Sequence, residues 1–308
     1  MTSSTVFGLD VWADEPPAYL RAARAKRTGR VLDVLLDREG HTDWPAAARL
    51  ISAQENSDGT VAIRIEAHQE AGFMLSGPRY GRHVLSPDGR RLRCVPGSAA
   101  EEDWQRFLVA QVLPFAAALH GLEVLHASAV AFGGRALALT GASGAGKTSL
   151  ALAAQRLGAA LIADDVLALE RREHELLAHP GTPVVGLAHA EAERLGRALM
   201  NGRALGVNER ERLIEVQLVG RPLPLRAVLF LDRRPDGPSE PCFQPLDGAG
   251  AMLAATFNFV LDDPQRLVRL LDVCQCACAG TVRRVSVGPQ VDPDSLAFSI
   301  AGWFESLP

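Results

Sequence analysis

Lysine is nearly missing from this chain of 308 residues, occurring only at positions 26 and 147, so the positive charge is almost wholly arginine. Basic residues number 32 against 36 acidic ones, a net charge of −4, and no basic block is present. A nucleic-acid surface needs clustered positive charge, so a nucleic-acid partner is not expected. Long apolar runs are also lacking. The longest, Phe107 to Leu125, is interrupted by Gln111, Pro114, His120 and Glu123. It fits an amphipathic helix and a turn better than a membrane span, and no membrane partner is expected. The first residues, Met1 to Asp10, show no basic segment followed by an apolar one, so a cytoplasmic location is expected. Internal repeats and long low-complexity tracts are absent.

The five cysteines are an odd number and point to reduced thiols. Three of them make the run Cys274-Gln-Cys276-Ala-Cys278. Asp263-Pro264 is a good helix start, and helical spacing from Gln265 to Ala279 would aim these thiols in different directions, which favours packed thiols over a zinc site.

What is present is enough apolar material, 47% of residues, for one large or two modest cores. A β-rich N-terminal domain is expected over 1–97. Its strands are Thr5 to Trp12, Val31 to Leu36, Val61 to Glu66 and Arg82 to Pro96, the last bent at Pro87-Asp88-Gly89, with a helix over Ala18 to Arg27. The break falls in Pro96-Gly-Ser-Ala-Ala, before a helix from Glu101 to His120 that leads into a second domain, 98–308. There, strands are expected at Leu167 to Arg171, Glu175 to His179 and Leu225 to Leu231, a helix at His189 to Met200, and a solvated turn at Asp232 to Pro241.

The most constraining segment is Gly141-Ala142-Ser143-Gly144-Ala145-Gly146-Lys147-Thr148, which matches G-x-x-x-x-G-K-[ST]. Glycines at 141, 144 and 146 let backbone N–H groups close on phosphate oxygens. One of the two lysines stands where the β and γ oxygens of a triphosphate would need a mobile charge. Thr148 could ligate Mg²⁺, and the helix starting there adds its positive end. The context is right: Arg135 to Thr140 is a short apolar run, and Thr148 to Leu157 is an alanine- and leucine-rich helix ended by Gly158.

Leu161-Ile-Ala-Asp164-Asp165-Val166 puts two carboxylates at the end of an apolar strand. Because side chains alternate, both can serve one site only if the strand ends there. One could hold Mg²⁺ while the other takes a proton from an attacking hydroxyl; the bland alternative is a solvated turn. His126, in Leu125-His126-Ala-Ser-Ala-Val-Ala-Phe132, opens a strand that returns through the Gly133-Gly134 turn into the loop's own strand. It could sit beside the triphosphate, or be a hydrogen-bonded core histidine. Arg212, in Glu209-Arg-Glu-Arg-Leu-Ile-Glu215, could clamp a γ-phosphate, although a surface role suits it better.

His126 precedes Gly141 by fifteen residues, and Asp164 and Asp165 follow Thr148 by sixteen and seventeen. This compact spacing resembles the HPr kinase/phosphorylase family. The segments His126-Ala-Ser-Ala-Val and Leu161-Ile-Ala-Asp-Asp-Val look especially like HPr-kinase-related proteins of bacterial peptide-modification clusters, including lasso-peptide serine kinases. ATP-utilising phosphoenolpyruvate carboxykinases are similar in the same core. The Glu-, Arg- and Gly-rich signature of true HPr kinases has no counterpart downstream. The resemblance implies an α/β phosphate-loop core, with Gly141 through Ser149 holding ATP, Thr148 and Asp164 holding Mg²⁺, Asp165 as base with His126 near it, and Lys147 in the transfer. It further implies γ-phosphoryl transfer to a hydroxyl, a serine of a peptide or small protein, and leaves a homo-oligomer open. A small-metabolite kinase would use the same core, and an acceptor pocket confined by the N-terminal domain would favour it. A nucleotide-dependent switch is the alternative from another class.

Overall fold

Alternating apolar and polar residues, as in Val31 to Leu36, make strands, and the first third of the chain is dominated by them. A computed structural model describes residues 2–40, 43–55, 60–195, 203–257 and 264–308. Strands β1 (Thr2–Val6), β2 (Leu9–Ala13), β3 (Val31–Leu36), β4 (Arg49–Glu55), β5 (Val61–His68), β6 (Gly72–Gly77), β7 (Gly81–Leu85) and β8 (Arg91–Pro96) form one sheet, ordered β1-β2-β3-β8-β7-β6-β5-β4.

Two expectations fail here. The single strand over Thr5 to Trp12 is instead a hairpin, because Phe7 and Gly8 both take positive φ, 51° and 75°, and reverse the chain between β1 and β2. The helix over Ala18 to Arg27 shrinks to a 3₁₀ turn, Ala18–Leu20. Tertiary partners take part of its backbone: Tyr19 N–H donates to Gln105, and Lys26 N–H donates to the Gly220 carbonyl.

The helix expected from Glu101 is α1 (Glu101–Phe107), a π turn (Leu108–Val112) and α2 (Leu113–Leu119). Pro114 has no N–H to give the carbonyl of Ala110, which accounts for the widened turn before it. This helical segment lies on the first sheet. Trp104, Leu108, Val112 and Phe115 share a buried cluster with Leu9, Leu32, Leu75, Leu85 and Leu92, so the apolar core runs across Pro96 without a gap.

The chain then continues through β9 (Glu123–Leu125), β10 (Ala127–Phe132), β11 (Arg135–Gly141), α3 (Lys147–Arg156), β12 (Ala160–Ala163), β13 (Leu167–Arg172), β14 (Glu175–His179), β15 (Val184–Ala188), α4 (His189–Leu195), β16 (Ala204–Val207), β17 (Glu211–Glu215), β18 (Leu223–Arg233), β19 (Cys242–Pro245), α5 (Gly248–Ala255), α6 (Pro264–Ala279), β20 (Thr281–Val287) and α7 (Pro293–Glu305). The end of the helix expected to reach Met200, and the Asp263 helix start, lie outside the described residues. The expected turn after Leu231 begins later, since β18 runs on to Arg233.

The protein is therefore a mixed α/β fold. At the centre of the second sheet, β11 pairs in parallel with β18, and β18 with β20. On the other side of β11, β10 and then β12 pair antiparallel; β14, β13 and β9 branch from the start of β18. Period-two alternation gives this sheet two apolar faces. Leu137, Leu139 and Leu229 meet α3 and α7, whereas Ala136, Ala138 and Val228 meet α5 and α6. Each fully buried leucine contributes about 1.5–3 kcal/mol. A small sheet, β15-β17-β16, stands beside the loop. No helix among the described residues is long and apolar enough to cross a membrane.

Candidate functional site

The Gly141–Thr148 segment leaves the C-terminal end of β11 and enters α3, so it sits where the parallel strands β11 and β18 point. Its glycines have φ of 145°, 80° and 93° at positions 141, 144 and 146, which side-chain-bearing residues rarely adopt. A Cβ on Gly141 would press on the Leu231 carbonyl, whereas Gly144 and Gly146 face open space. The latter two are thus required by backbone angle and not by packing. Ser143 is exposed at the crest, and Ala145 tucks against the α3 side of the core. Lys147 is buried, its Nζ donating to the carbonyls of Gly141 and Ala142 at 3.1 and 3.3 Å. Burial lowers its pKa, against the opposing pull of Asp165 and Asp164. Ser149, the third residue of α3, contacts the carboxylate of Glu191.

β12 ends at Ala163, and the two aspartates follow. Val166 N–H donates to the Asp164 carbonyl at 2.8 Å across Asp165, whose φ is 67°. This tight, sparsely populated turn separates the two carboxylates into different surroundings. Asp164 is buried, its Oδ1 accepting from Ser128 Oγ at 2.6 Å and Thr148 Oγ1 at 2.9 Å. Desolvation raises its pKa to about 6, with Asp165 adding to the rise and the two hydroxyls opposing it. Asp165 is partly exposed. Its Oδ2 accepts from Arg106 at 3.1 Å and its Oδ1 lies 3.3 Å from His126 Nδ1.

His126 stands in the bend between β9 and β10, one residue before the strand it was expected to begin. Its backbone N–H donates to Ala255, and its ring meets Phe257 edge-on. Burial lowers its pKa; the Asp165 charge opposes this and the Lys147 charge adds to it. Its Nδ1 faces the Asp165 carboxylate.

Three partners of this centre had no role assigned from the sequence. Ser128 lies on Val130's face of β10, where a lone hydroxyl in an apolar run was the available signal. Arg106 comes from α1 and bridges Asp165 to Glu211 of β17, with Nε 2.9 Å from Glu211 Oε1. Burial disfavours its charge, yet the two carboxylates more than compensate and hold its pKa above the ordinary arginine value. Gly186 makes room for Glu211, since a Cβ there would run into that carboxylate. The Glu209–Glu215 segment thus reaches the centre through Glu211, while Arg212 turns outward.

Two cavities flank the loop. One, about 550 Å³, touches His126, Gly141 and Ala142 and has largely apolar walls, including Phe230, Leu246 and Ala251. Asp232 and Arg234, expected in a solvated turn, line it with Arg284. The other, about 460 Å³, is polar: Ser143 and Asp165 form one wall, Arg106 and Gln111 another, and Ile63, Arg79 and Tyr80 of the first sheet close it.

Among the described residues no group of three or more His, Cys, Asp or Glu side chains is placed to hold a metal ion. The C-x-C-x-C thiols diverge along α6: Cys274 is buried, Cys278 is exposed, and Cys276 Sγ points to the His174 carbonyl.

No family model matches the chain, and no curated protein does. Among solved structures it is similar to the Hpr(Ser) kinase/phosphatase from Coxiella burnetii, with 16% identity and a TM-score of 0.27 over 49% of this chain and 95% of that one. A likeness that slight is no evidence of shared fold or chemistry, which leaves the chemistry to rest on the side chains themselves.

Proposed function

We propose that this protein is an ATP-dependent, Mg²⁺-dependent phosphotransferase that moves the γ-phosphoryl group to a hydroxyl. The observation that carries the reading is the meeting of Thr148 with Asp164, 2.9 Å apart, beside a second carboxylate that opens onto a cavity. A switch that only binds nucleotide has no need of that second carboxylate. Residues 98–308 act as the transferring unit in this reading, and residues 1–97 close the acceptor side.

The loop's backbone N–H groups and Lys147 receive the triphosphate, and the walls of the 550 Å³ cavity suit a nucleoside. Asp164 is a buried carboxylate with hydroxyl oxygens around it and no ion-pair partner among the described residues, a hard-oxygen set that fits Mg²⁺; Thr148 and Asp164 would hold it. Bound there, Mg²⁺ supplies charge neutralisation for the transferring phosphoryl group. Asp165 accepts the acceptor's hydroxyl proton, while Arg106 and His126 fix the direction of its carboxylate. A serine of a peptide or small protein, as in ribosomal-peptide modification, is the acceptor the sequence resemblance implies. The polar 460 Å³ cavity, walled on one side by the first sheet, favours a small hydroxylated molecule.

The test is transfer of γ-labelled phosphate from Mg·ATP into size-fractionated host extract. Wild type should label an acceptor; Lys147→Ala should lose ATP affinity and transfer together. Asp165→Asn should lose transfer by about 10²–10⁴-fold and retain Mg·ATP binding. A fully active Asp165→Asn protein removes the base assignment, and tight binding without label from wild type moves the reading to a switch.

A further inference from the structure

Resting on that reading, we infer that the polar cavity between the first sheet and the loop is a site for a neutral, polyhydroxylated small molecule of the sugar or polyol class. Its charges are mostly spent within the protein. Arg106 is bound to Asp165 and Glu211, and Arg79 lies 3.8 Å from Asp103. The three arginines of the lining, at 79, 106 and 210, face four carboxylates, at 103, 165, 209 and 211. There is no surplus of cations with which to attract an anionic acceptor.

The uncommitted groups are one anion, one cation and two neutral polar groups. The Tyr80 hydroxyl, the Gln111 carboxamide, the Glu209 carboxylate and the Arg210 guanidinium line the cavity, and among the described residues none has a side-chain partner. Together they offer donors and acceptors from opposite walls, as several hydroxyl groups on one ligand require. A serine brings one hydroxyl and would leave most of them unused, whereas a ligand with several hydroxyls can engage them together.

Both walls are also held in advance. The Tyr80 ring stacks on Phe107 with centroids 5.1 Å apart and planes 6° from parallel, its N–H donates to Gly77, and His83 Nε2 contacts its carbonyl at 3.2 Å. It is a fixed platform for the C–H face of a ring. Opposite, Asn208 Oδ1 accepts the backbone N–H groups of Arg210 and Glu211 at 2.9 Å each, and His189 Nε2 holds the Asn208 carbonyl at 3.0 Å. That turn fixes the backbone from which the exposed Arg210 and Glu209 side chains extend, which limits the ordering needed on binding. A hydroxyl of the bound molecule forms a bond from its oxygen to the γ-phosphorus, the bond to the β,γ-bridging oxygen breaks with its electron pair leaving on ADP, and the proton passes to Asp165.

Saturation-transfer NMR of the full chain with glycerol, myo-inositol, D-ribose and D-glucose, in the presence of Mg·ADP, tests the site independently of turnover. At least one should bind, and γ-labelled ATP should phosphorylate the same compound. Tyr80→Ala and Arg210→Ala should each weaken that compound's binding and raise its KM about tenfold, leaving Mg·ATP affinity unchanged. Tyr80→Phe, which keeps the stacked ring, should lose less than Tyr80→Ala. Binding of none of the four overturns the inference; so does labelling of a peptide or protein fraction at rates indifferent to Tyr80→Ala and Arg210→Ala. Either result, with Mg·ATP binding and transfer intact, leaves the phosphotransferase reading standing. Absence of Mg·ATP binding removes both.

Discussion

The two large sheets differ in what their strand ends offer. The first is a run of mostly antiparallel neighbours, several of them joined by tight turns, and it carries no motif. The second has parallel strands β11, β18 and β20 at its centre, so several strand ends open on one edge, and the glycine loop and one flanking cavity lie there. Parallel pairing needs long crossovers with helices on both faces, which removes water from both sides of the central strands and leaves their carboxyl ends as the accessible place. The first sheet nevertheless closes the second cavity and, through α1, places Arg106 on Asp165. One region carries the glycine loop and the carboxylate pair, and the other supplies a wall and a brace.

The largest test of that division is Arg106→Ala, which strips the brace from two carboxylates. Breaking a largely buried ion pair of this kind costs about 3–5 kcal/mol, measured by denaturant titration. Transfer should fall by more than the loss of folded protein explains. If Arg106→Ala changes stability alone, the brace is structural, and the two regions are less coupled than the geometry indicates.

Next is Leu75→Ala, a fully buried position of β6 far from any motif. It should cost about 2–5 kcal/mol of stability. The kcat of protein that remains folded should be unchanged, whereas Leu139→Ala, on the loop's own strand, should lower both.

A pH titration probes the first region by itself. Burial pushes the pKa of His83 from 6.5 to about 4 in the folded chain. Between those pH values the unfolded chain binds the extra proton, so acid favours unfolding. The contribution is complete above pH 6.5 and is lost as pH falls toward 4, an effect of about 3 kcal/mol at its full extent. His83→Gln should flatten this part of the stability profile, and an unchanged slope would assign the acid sensitivity to other groups.

The smallest effect is expected at the seam. Arg30, between β2 and β3, donates to Glu170 of β13 at 2.7 Å, and His179 and Arg172 contact the same carboxylate. Burial raises the Glu170 pKa, but these three partners outweigh it and hold the group at about 2. Because Arg172 and His179 remain, Arg30→Ala should cost only about 1 kcal/mol. The fall in thermal midpoint should be correspondingly small.

Much of the loop-bearing edge was legible because its signals are local. Glycine spacing, the Gly133-Gly134 reversal and the Asp pair at a strand end each depend on residues adjacent in sequence. In the first sheet, β3 and the β7–β8 hairpin were legible for the same reason, whereas β4 and β6, with weaker alternation, were not. The Ala18 helix stops after one 3₁₀ turn, with the Tyr19 and Lys26 N–H groups taken by residues far away in the chain. The missed site residues share that property: Ser128 reaches Asp164 across 36 positions, Arg106 reaches Asp165 across 59, and Glu211 reaches Arg106 across 105.

The sequence by itself determined the strand, loop and helix of Arg135 to Arg156, the end of the strand before Asp164, and the lysine at position 147, since short-range backbone geometry and residue type suffice for each. Only the tertiary structure decided that the two carboxylates would part, one against Thr148 and Ser128 and the other against Arg106 and His126. Only it decided, too, that the first sheet would wall the space in front of the second carboxylate. Ion pairs and cavities depend on distances of a few ångströms between segments that the chain separates by tens of residues, and no local preference encodes those distances.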